Sequence, residues 1–82
     1  MQIGKYRIYS RSGCAFCDAA MDILDKEKII YEEVKIDNNN DEKAFLKSQG
    51  FTTVPQIYNE WGVHIGGYRD LKEYLKIGGP SL

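Results

Sequence analysis

The 82-residue chain has no apolar run close to the roughly 20 residues that a membrane-spanning helix needs. Its 11 basic and 12 acidic residues leave a formal net charge of −1, which excludes a strongly basic surface for nucleic acid or an anionic membrane. The first residues lead into a strand-like pattern without the apolar core of a signal peptide. We therefore expect a cytoplasmic protein with no nucleic-acid partner and no membrane partner.

Cysteine and histidine are scarce, with 2 cysteines and 1 histidine. Two cysteines separated by only two residues do not make the multi-bridge framework of a small secreted domain, which favours a reducing compartment. A structural zinc site needs four ligands, and His64 is the only other Cys or His in the sequence. No metal is therefore expected, and an inert buried cysteine pair is the remaining alternative to a reactive one.

Apolar periodicity divides the chain into elements in the order β-α-β-α-β-β-α. The predicted strands lie at 6–10, 30–36, 52–58 and 63–65, and the predicted helices lie at 16–28, 40–49 and 70–75. Asn39 and Asp70 are the expected N-terminal caps of the second and third helices. This order predicts one α/β domain over residues 1–82, with a mixed sheet, flanking helices and a frayed tail at 78–82.

The two cysteines, Cys14 and Cys17, lie where the first strand gives way to the first helix. A helix N-terminus offers unpaired N–H groups and the positive end of the macrodipole, and both favour a thiolate over a thiol. Arg11 adds a positive charge nearby. Cys14, at the mouth of the helix, is therefore predicted to be the attacking sulfur, and Cys17, one turn further in, to be the more buried one.

Four features together resemble the dithiol glutaredoxins, and the resemblance runs from the first strand through the third helix. They are Tyr9 with Arg11, the Cys14–Cys17 pair, Thr53-Val54-Pro55-Gln56, and His64-Ile65-Gly66-Gly67-Tyr68-Arg69-Asp70-Leu71. A CxxC motif alone is weak evidence, but its combination with Thr-Val-Pro and Gly-Gly-x-x-Asp is specific. The chain departs from the commonest family motif at Ala15 and Phe16, where Pro and Tyr are usual.

The resemblance implies a thioredoxin-like fold with a four-stranded mixed sheet, three flanking helices and a cis peptide bond before Pro55. It also implies that glutathione is the reductant and co-substrate, with the Val54 backbone against its cysteinyl unit. Arg11 would meet the glycine carboxylate, and the start of the third helix would hold the γ-glutamyl end. The implied site comprises catalytic Cys14 and Cys17 and glutathione-binding Arg11, Phe16, Thr53, Val54, Pro55, Gly67, Tyr68, Arg69 and Asp70.

The implied activity is the reduction of protein disulfides and of glutathione mixed disulfides by a monomer. Its protein partners would be disulfide-containing or glutathionylated proteins, with ribonucleotide reductase as one candidate. Two other functions stay open: an electron donor served by thioredoxin reductase, and an iron–sulfur cluster carrier with glutathione as co-ligand. The sequence also leaves Phe16 open as a core residue, and predicts His64 as a strand residue rather than a catalytic base and Trp61 as a partly exposed hairpin aromatic.

Overall fold

The structure, a computed structural model, describes residues 4–76, so the expected frayed tail at 78–82 lies outside the described residues. The order of the elements is the predicted one. They are β1 (Tyr6–Ser10), α1 (Ala15–Lys26), β2 (Tyr31–Lys35), a 3₁₀ turn (Ile36–Asn38), α2 (Asn40–Ser48), β3 (Gln56–Tyr58), β4 (His64–Gly66) and α3 (Tyr68–Leu75). Within residues 4–76, none of these helices combines the length and apolar character needed to cross a membrane.

The four strands form one mixed sheet in the order β2-β1-β3-β4. β1 pairs with β2 in parallel, whereas β3 is antiparallel to both β1 and β4. Parallel neighbours need a long crossover connection, and α1 supplies it, while antiparallel β3 and β4 are joined by a short turn. The mixed sheet predicted from the sequence is therefore confirmed.

One face of the sheet carries the aliphatic core. Ile8 of β1 and Ile57 of β3 are fully buried, together with Ala20 and Leu24 of α1 and Leu71 of α3. Full burial of each leucine or isoleucine side chain stabilises the fold by about 1.5–3 kcal/mol. This shared core places the N-termini of α1 and α3 at fixed positions relative to the end of β1.

The opposite face of the sheet is covered by aromatic side chains. Successive residues of a strand point to opposite faces, so Tyr9 lies on the face that Ile8 does not. Tyr9 is only 3% exposed, and its ring centroid lies 5.9 Å from that of Phe45 in α2 and 5.7 Å from that of Tyr58 in β3. Packing on both faces fixes the end of β1, from which the Cys14 loop departs.

Local sequence signals account for α2 and for the hairpin. The Asn39 side chain accepts a hydrogen bond from the Glu42 N–H at 3.1 Å, which confirms the predicted N-terminal cap. In the hairpin, the buried Asn59 side-chain oxygen accepts hydrogen bonds from the N–H groups of Trp61 and Val63, both at 2.9 Å. Trp61 itself is 55% exposed, as predicted.

Two predicted strands are too long. The third strand begins at Gln56 rather than at residue 52, because the Val54–Pro55 peptide is cis and Pro55 has no N–H for a strand ladder. The second strand runs over 31–35 rather than 30–36, because Ile36 begins the 3₁₀ turn and Ile30 precedes the paired register.

Four further elements differ at their ends by one or two residues. The second helix ends at Ser48 rather than at residue 49, and the third begins at Tyr68 rather than at residue 70. The first helix spans 15–26 rather than 16–28, because Glu27 is its C-cap and Lys28 takes a left-handed conformation with φ 58°. The fourth strand spans 64–66 rather than 63–65, and its register with β3 shifts between Ile57 and Tyr58. A shift of this kind is a β-bulge, which periodicity in one strand does not reveal.

Tyr6, at the start of β1, is a buried phenol with a strongly perturbed ionisation. Its side chain is 6% exposed. Burial, followed by the negative charge of Glu60, raises the pKa of Tyr6 from its usual value of 10.0 to about 12. The folded state therefore favours the neutral phenol over the phenolate.

We predict that Tyr6→Phe flattens the alkaline limb of the stability curve. Because the folded pKa is raised, the stability linked to Tyr6 is complete below the unfolded pKa of 10.0 and is lost as the pH rises towards about 12. By the end of this interval, wild type should lose about 2–3 kcal/mol of unfolding free energy relative to the variant. Urea unfolding at a series of pH values measures the difference, and parallel curves for the two proteins would contradict it.

Candidate active site

Cys14 is the N-terminal cap of α1, as its place at the strand–helix junction predicts. Its backbone is extended, and its sulfur accepts a hydrogen bond from the Cys17 N–H at 3.1 Å. Cys17 is fully buried, whereas Cys14 is partly exposed. The two residues form a disulfide with their Cα atoms 5.2 Å apart. The structure thus holds the pair oxidised, with Cys14 on the solvent side.

The loop before β3 faces the Cys14 sulfur. The Val54 carbonyl oxygen lies 3.9 Å from Cys14 Sγ, and the Val54–Pro55 peptide is cis, as the resemblance implies. Within residues 4–76, neither the N–H nor the C=O of Val54 has a backbone hydrogen-bond partner. Val54 therefore presents both groups of an unpaired strand edge beside the reactive sulfur.

Two grooves meet along Phe16, Thr53 and Val54. The first has a volume of about 320 Å³ and contains Arg11 and Cys14. The second has a volume of about 490 Å³ and extends along the start of α3. Each residue that the resemblance implies for glutathione binding lines one groove or both: Arg11, Phe16, Thr53, Val54, Pro55, Gly67, Tyr68, Arg69 and Asp70.

Phe16 is not a core residue, so that alternative is wrong. Its side chain is 61% exposed, and its ring centroid lies 5.7 Å from that of Tyr68. The residue sits in the first turn of α1 beside Cys14, whereas the buried face of the helix starts with Cys17 and Ala20. Phe16 and Tyr68 therefore form an aromatic wall of the site rather than part of the interior.

The start of α3 differs from the prediction that Asp70 is its N-terminal cap. Gly67 occupies the cap position, and Asp70 is the third helical residue, whose Oδ2 accepts a hydrogen bond from the Gly67 N–H at 3.0 Å. This is the carboxylate half of a capping box, and glycine supplies no side chain for the other half. The N–H groups of the first turn, at residues 68–70, lack intrahelical acceptors and adjoin the second groove.

The loop before Cys14 is tethered to the 3₁₀ turn. The Ser12 N–H lies 3.4 Å from Asp37 Oδ2. A hydrogen bond from the Ser12 side chain is the main cause that lowers the pKa of Asp37. The tether keeps the loop between β1 and α1 next to Ile36, which lines the first groove.

Four residues that line the second groove are absent from the implied site: Phe51, Gln56, His64 and Gly66. His64 lies in β4, as predicted, and its ring stacks on Phe51 with centroids 4.2 Å apart. Gln56 is only 8% exposed. In the sequence, one signal could have identified Gln56 as a site residue: it is a polar residue directly after the proline of a buried segment.

Zinc binding finds no support in the described part of the chain. Residues 4–76 contain no group of three His, Cys, Asp or Glu side chains arranged to hold a metal ion. The groups brought together are instead the Cys14–Cys17 disulfide, an unpaired backbone edge and a helix N-terminus. This combination is suited to disulfide exchange with a peptide-like molecule.

Gly66 is the glycine whose replacement should disturb this site most. Its φ is 126°, and an added Cβ would lie 2.7 Å from Cγ of Asp70. We predict that Gly66→Ala lowers the unfolding free energy by about 2–4 kcal/mol, because backbone strain and the Asp70 clash combine. Gly62→Ala, at φ 79° with no atom within 4 Å, should cost only about 1 kcal/mol.

Urea unfolding of the two alanine variants gives this comparison directly. The amide NMR signal of Gly67 should also shift in Gly66→Ala, as its bond to Asp70 is displaced, and should stay in place in Gly62→Ala. Equal stability losses in the two variants would show that Asp70 does not restrict residue 66.

Known proteins are similar to this chain in sequence and in fold. The family model described as Glutaredoxin matches residues 7–65. Glutaredoxin 1 of Rickettsia prowazekii (strain Madrid E) is 40% identical over 74 residues, which cover 87% of this chain and 77% of that protein.

Two solved structures have the same fold. The buckwheat glutaredoxin–glutathione complex aligns with a TM-score of 0.75 and 26% identity, over 89% of this chain and 69% of that one. NrdH-redoxin from Escherichia coli aligns with a TM-score of 0.76 over 95% of this chain and 99% of that one, and at 20% identity it shows the thioredoxin-like fold alone. The family match and the Rickettsia relative go further than the fold: the chain belongs to the glutaredoxin family of thiol–disulfide oxidoreductases.

Proposed function

We propose that this chain uses glutathione to reduce protein disulfides and glutathione mixed disulfides. The observation that carries the proposal is the position of the Cys14 sulfur at the N-terminus of α1, 3.9 Å from the carbonyl oxygen of the unpaired Val54 edge. A thiol exchanger needs an accessible sulfur and a surface that holds the partner sulfur in line with it. The buckwheat glutaredoxin, which aligns with this chain, was solved as a glutathione complex.

Glutathione fits the two grooves as an extended tripeptide. Its cysteinyl unit would pair with the N–H and C=O of Val54, as a strand pairs with a sheet edge. Its glycine carboxylate would lie towards Arg11 in the first groove. Thr53, Pro55 and Phe16 would provide the walls around the cysteinyl unit.

The γ-glutamyl end would lie in the second groove, at the start of α3. The free N–H groups of its first turn attract a carboxylate, and the side chain of Arg69 adds a positive charge. Asp70 Oδ2 is engaged by the Gly67 N–H, which leaves Oδ1 for the ammonium group of the ligand. Asp70 would thus serve both the helix and the ligand, and Tyr68 would close the groove against Phe16.

The exchange proceeds by thiolate attack. The Cys14 thiolate attacks the glutathione sulfur of a glutathionylated protein, the protein–glutathione S–S bond breaks, and the protein thiolate leaves and takes up a proton. A second glutathione thiolate then attacks the mixed disulfide on Cys14, which releases oxidised glutathione and restores the Cys14 thiolate. For a protein disulfide, the Cys14 thiolate attacks one sulfur, the protein S–S bond breaks, and a Cys14–protein mixed disulfide forms. The Cys17 thiolate then attacks Cys14 Sγ, releases the second protein thiolate and forms the Cys14–Cys17 bridge, which two glutathione thiols reduce with release of oxidised glutathione.

The two cysteines should therefore respond differently to substitution. Cys14→Ser should lower both activities by at least about 1000-fold, since no nucleophile remains at the groove. Cys17→Ser should retain removal of glutathione from a glutathionylated peptide within about threefold, because that route needs only Cys14. The same variant should lose reduction of a protein disulfide through the bridge.

A coupled assay with glutathione, glutathione reductase and NADPH measures both routes. The substrates are a glutathionylated peptide and insulin. Ser48→Ala, a substitution of similar size at the exposed end of α2, is the control and should leave both activities unchanged. Retained turnover in Cys14→Ser would overturn the assignment of roles. Turnover with thioredoxin reductase but not with glutathione would show that glutathione is not the reductant. Visible absorption from an anaerobically purified dimer would indicate an iron–sulfur carrier.

A further inference from the structure

A chain of hydrogen bonds leads from the hairpin to the loop that faces Cys14. His64 Nε2 lies 2.7 Å from Gln56 Oε1, and Gln56 Nε2 donates to the Thr53 carbonyl oxygen at 3.1 Å. Gln56 Nε2 also lies 3.4 Å from the Thr53 hydroxyl oxygen. Disulfide exchange uses none of these groups directly, yet they end at the peptide unit that borders the reactive sulfur.

The Thr53 carbonyl fixes where the hydrogens lie along this chain. A carbonyl oxygen only accepts hydrogen bonds, so the Gln56 amide must direct its NH₂ group to Thr53 and its oxygen to His64. The amide oxygen also only accepts, so His64 Nε2 must carry a hydrogen. The ring is therefore a donor at Nε2, either as the neutral Nε2–H tautomer or as the imidazolium.

Burial holds Gln56 in place, whereas His64, an exposed residue, is held by the packing of its ring. The His64 ring lies between aromatic neighbours, stacked on Phe51 with centroids 4.2 Å apart and 5.0 Å from the Tyr58 ring. Gln56 is 8% exposed, so an amide oxygen left without a donor there would be poorly compensated by water. Loss of the His64 donor should therefore make the Gln56 amide turn and release Thr53.

The peptide unit transmits this restraint to Val54. The C=O of Thr53 and the N–H of Val54 belong to one planar unit and point in opposite directions when that unit is trans. Within residues 4–76, the recorded cis bond is the next one, between Val54 and Pro55. Gln56 therefore sets the direction of the Val54 N–H when it holds the Thr53 oxygen.

We infer that His64 is a positioning residue for the ligand edge. Acting through Gln56, its Nε2–H holds the Thr53–Val54 peptide in the orientation in which Val54 meets the cysteinyl unit of glutathione. The identity of the ligand rests on the proposed function, whereas the orientation of the peptide does not. Because His64 does not touch the reacting sulfurs, its loss should weaken binding more than it slows chemistry.

Three variants separate the donor from the ring. His64→Phe keeps an aromatic ring on Phe51 and removes the donor, whereas His64→Gln restores an N–H donor of similar reach without the ring. Val63→Thr changes the preceding residue, which is 58% exposed, and serves as the control. With a glutathionylated peptide, His64→Phe should raise KM about 3- to 10-fold and leave kcat within about twofold, as expected for one lost neutral hydrogen bond.

His64→Gln should recover most of the wild-type KM, and Val63→Thr should match wild type throughout. A His64→Phe variant with unchanged KM would overturn the positioning role. An equal rise in KM in His64→Gln would also overturn it, because the defect would then be caused by loss of the ring rather than by loss of the donor.

NMR tests the relay without using turnover. Imidazole ¹⁵N shifts of wild type should show a hydrogen on Nε2 of His64, and the amide signal of Val54 should move in His64→Phe, return in His64→Gln and stay in Val63→Thr. An Nδ1–H tautomer, or a Val54 signal unmoved in His64→Phe, would overturn the inference. If these signals behave as expected while wild type has no glutathione-linked turnover, the relay stands and the proposed function fails.

Discussion

The Cys17 N–H points at the Cys14 sulfur because Cys14 caps α1, and α1 is held by the buried face that it shares with the sheet and α3. The sulfur thereby receives a hydrogen bond and the positive end of a helix dipole from backbone alone. The Val54 edge depends on the same core, since it precedes β3, whose Ile57 is fully buried. The two halves of the site meet only while this packing is intact.

Much of this arrangement could be predicted from the sequence, because it depends on short-range sequence patterns. The strand before Cys14, the helix after it and the Asn39 cap all depend on residues close together in the chain. The position of the cysteine pair at a helix start followed from that pattern, and the family motifs added the cis bond before Pro55. In the structure, the motif residues on the Cys14 side and on the Val54 side of the site line adjoining grooves.

The features that the sequence did not predict have two kinds of cause, one in local capping and one in tertiary packing. Gly67 as the cap of α3 was missed because cap preferences favour side chains with oxygen, whereas here the carboxylate of Asp70 reaches back from the third helical position. The contact between His64 and Gln56 depends on the register of β3 with β4, which includes a bulge. No period within one strand encodes such a register.

The sheet order leaves β2 and β4 as its two borders. β2 has the sequence Tyr-Glu-Glu-Val-Lys, whose three charged residues would have to be desolvated if another chain added a strand there. β4 is three residues long and has a bulge in its pairing with β3, so it could form few backbone hydrogen bonds with an incoming strand. Both borders thus discourage sheet-to-sheet aggregation, whereas the short Val54 segment is the edge to which we propose that one extended tripeptide binds.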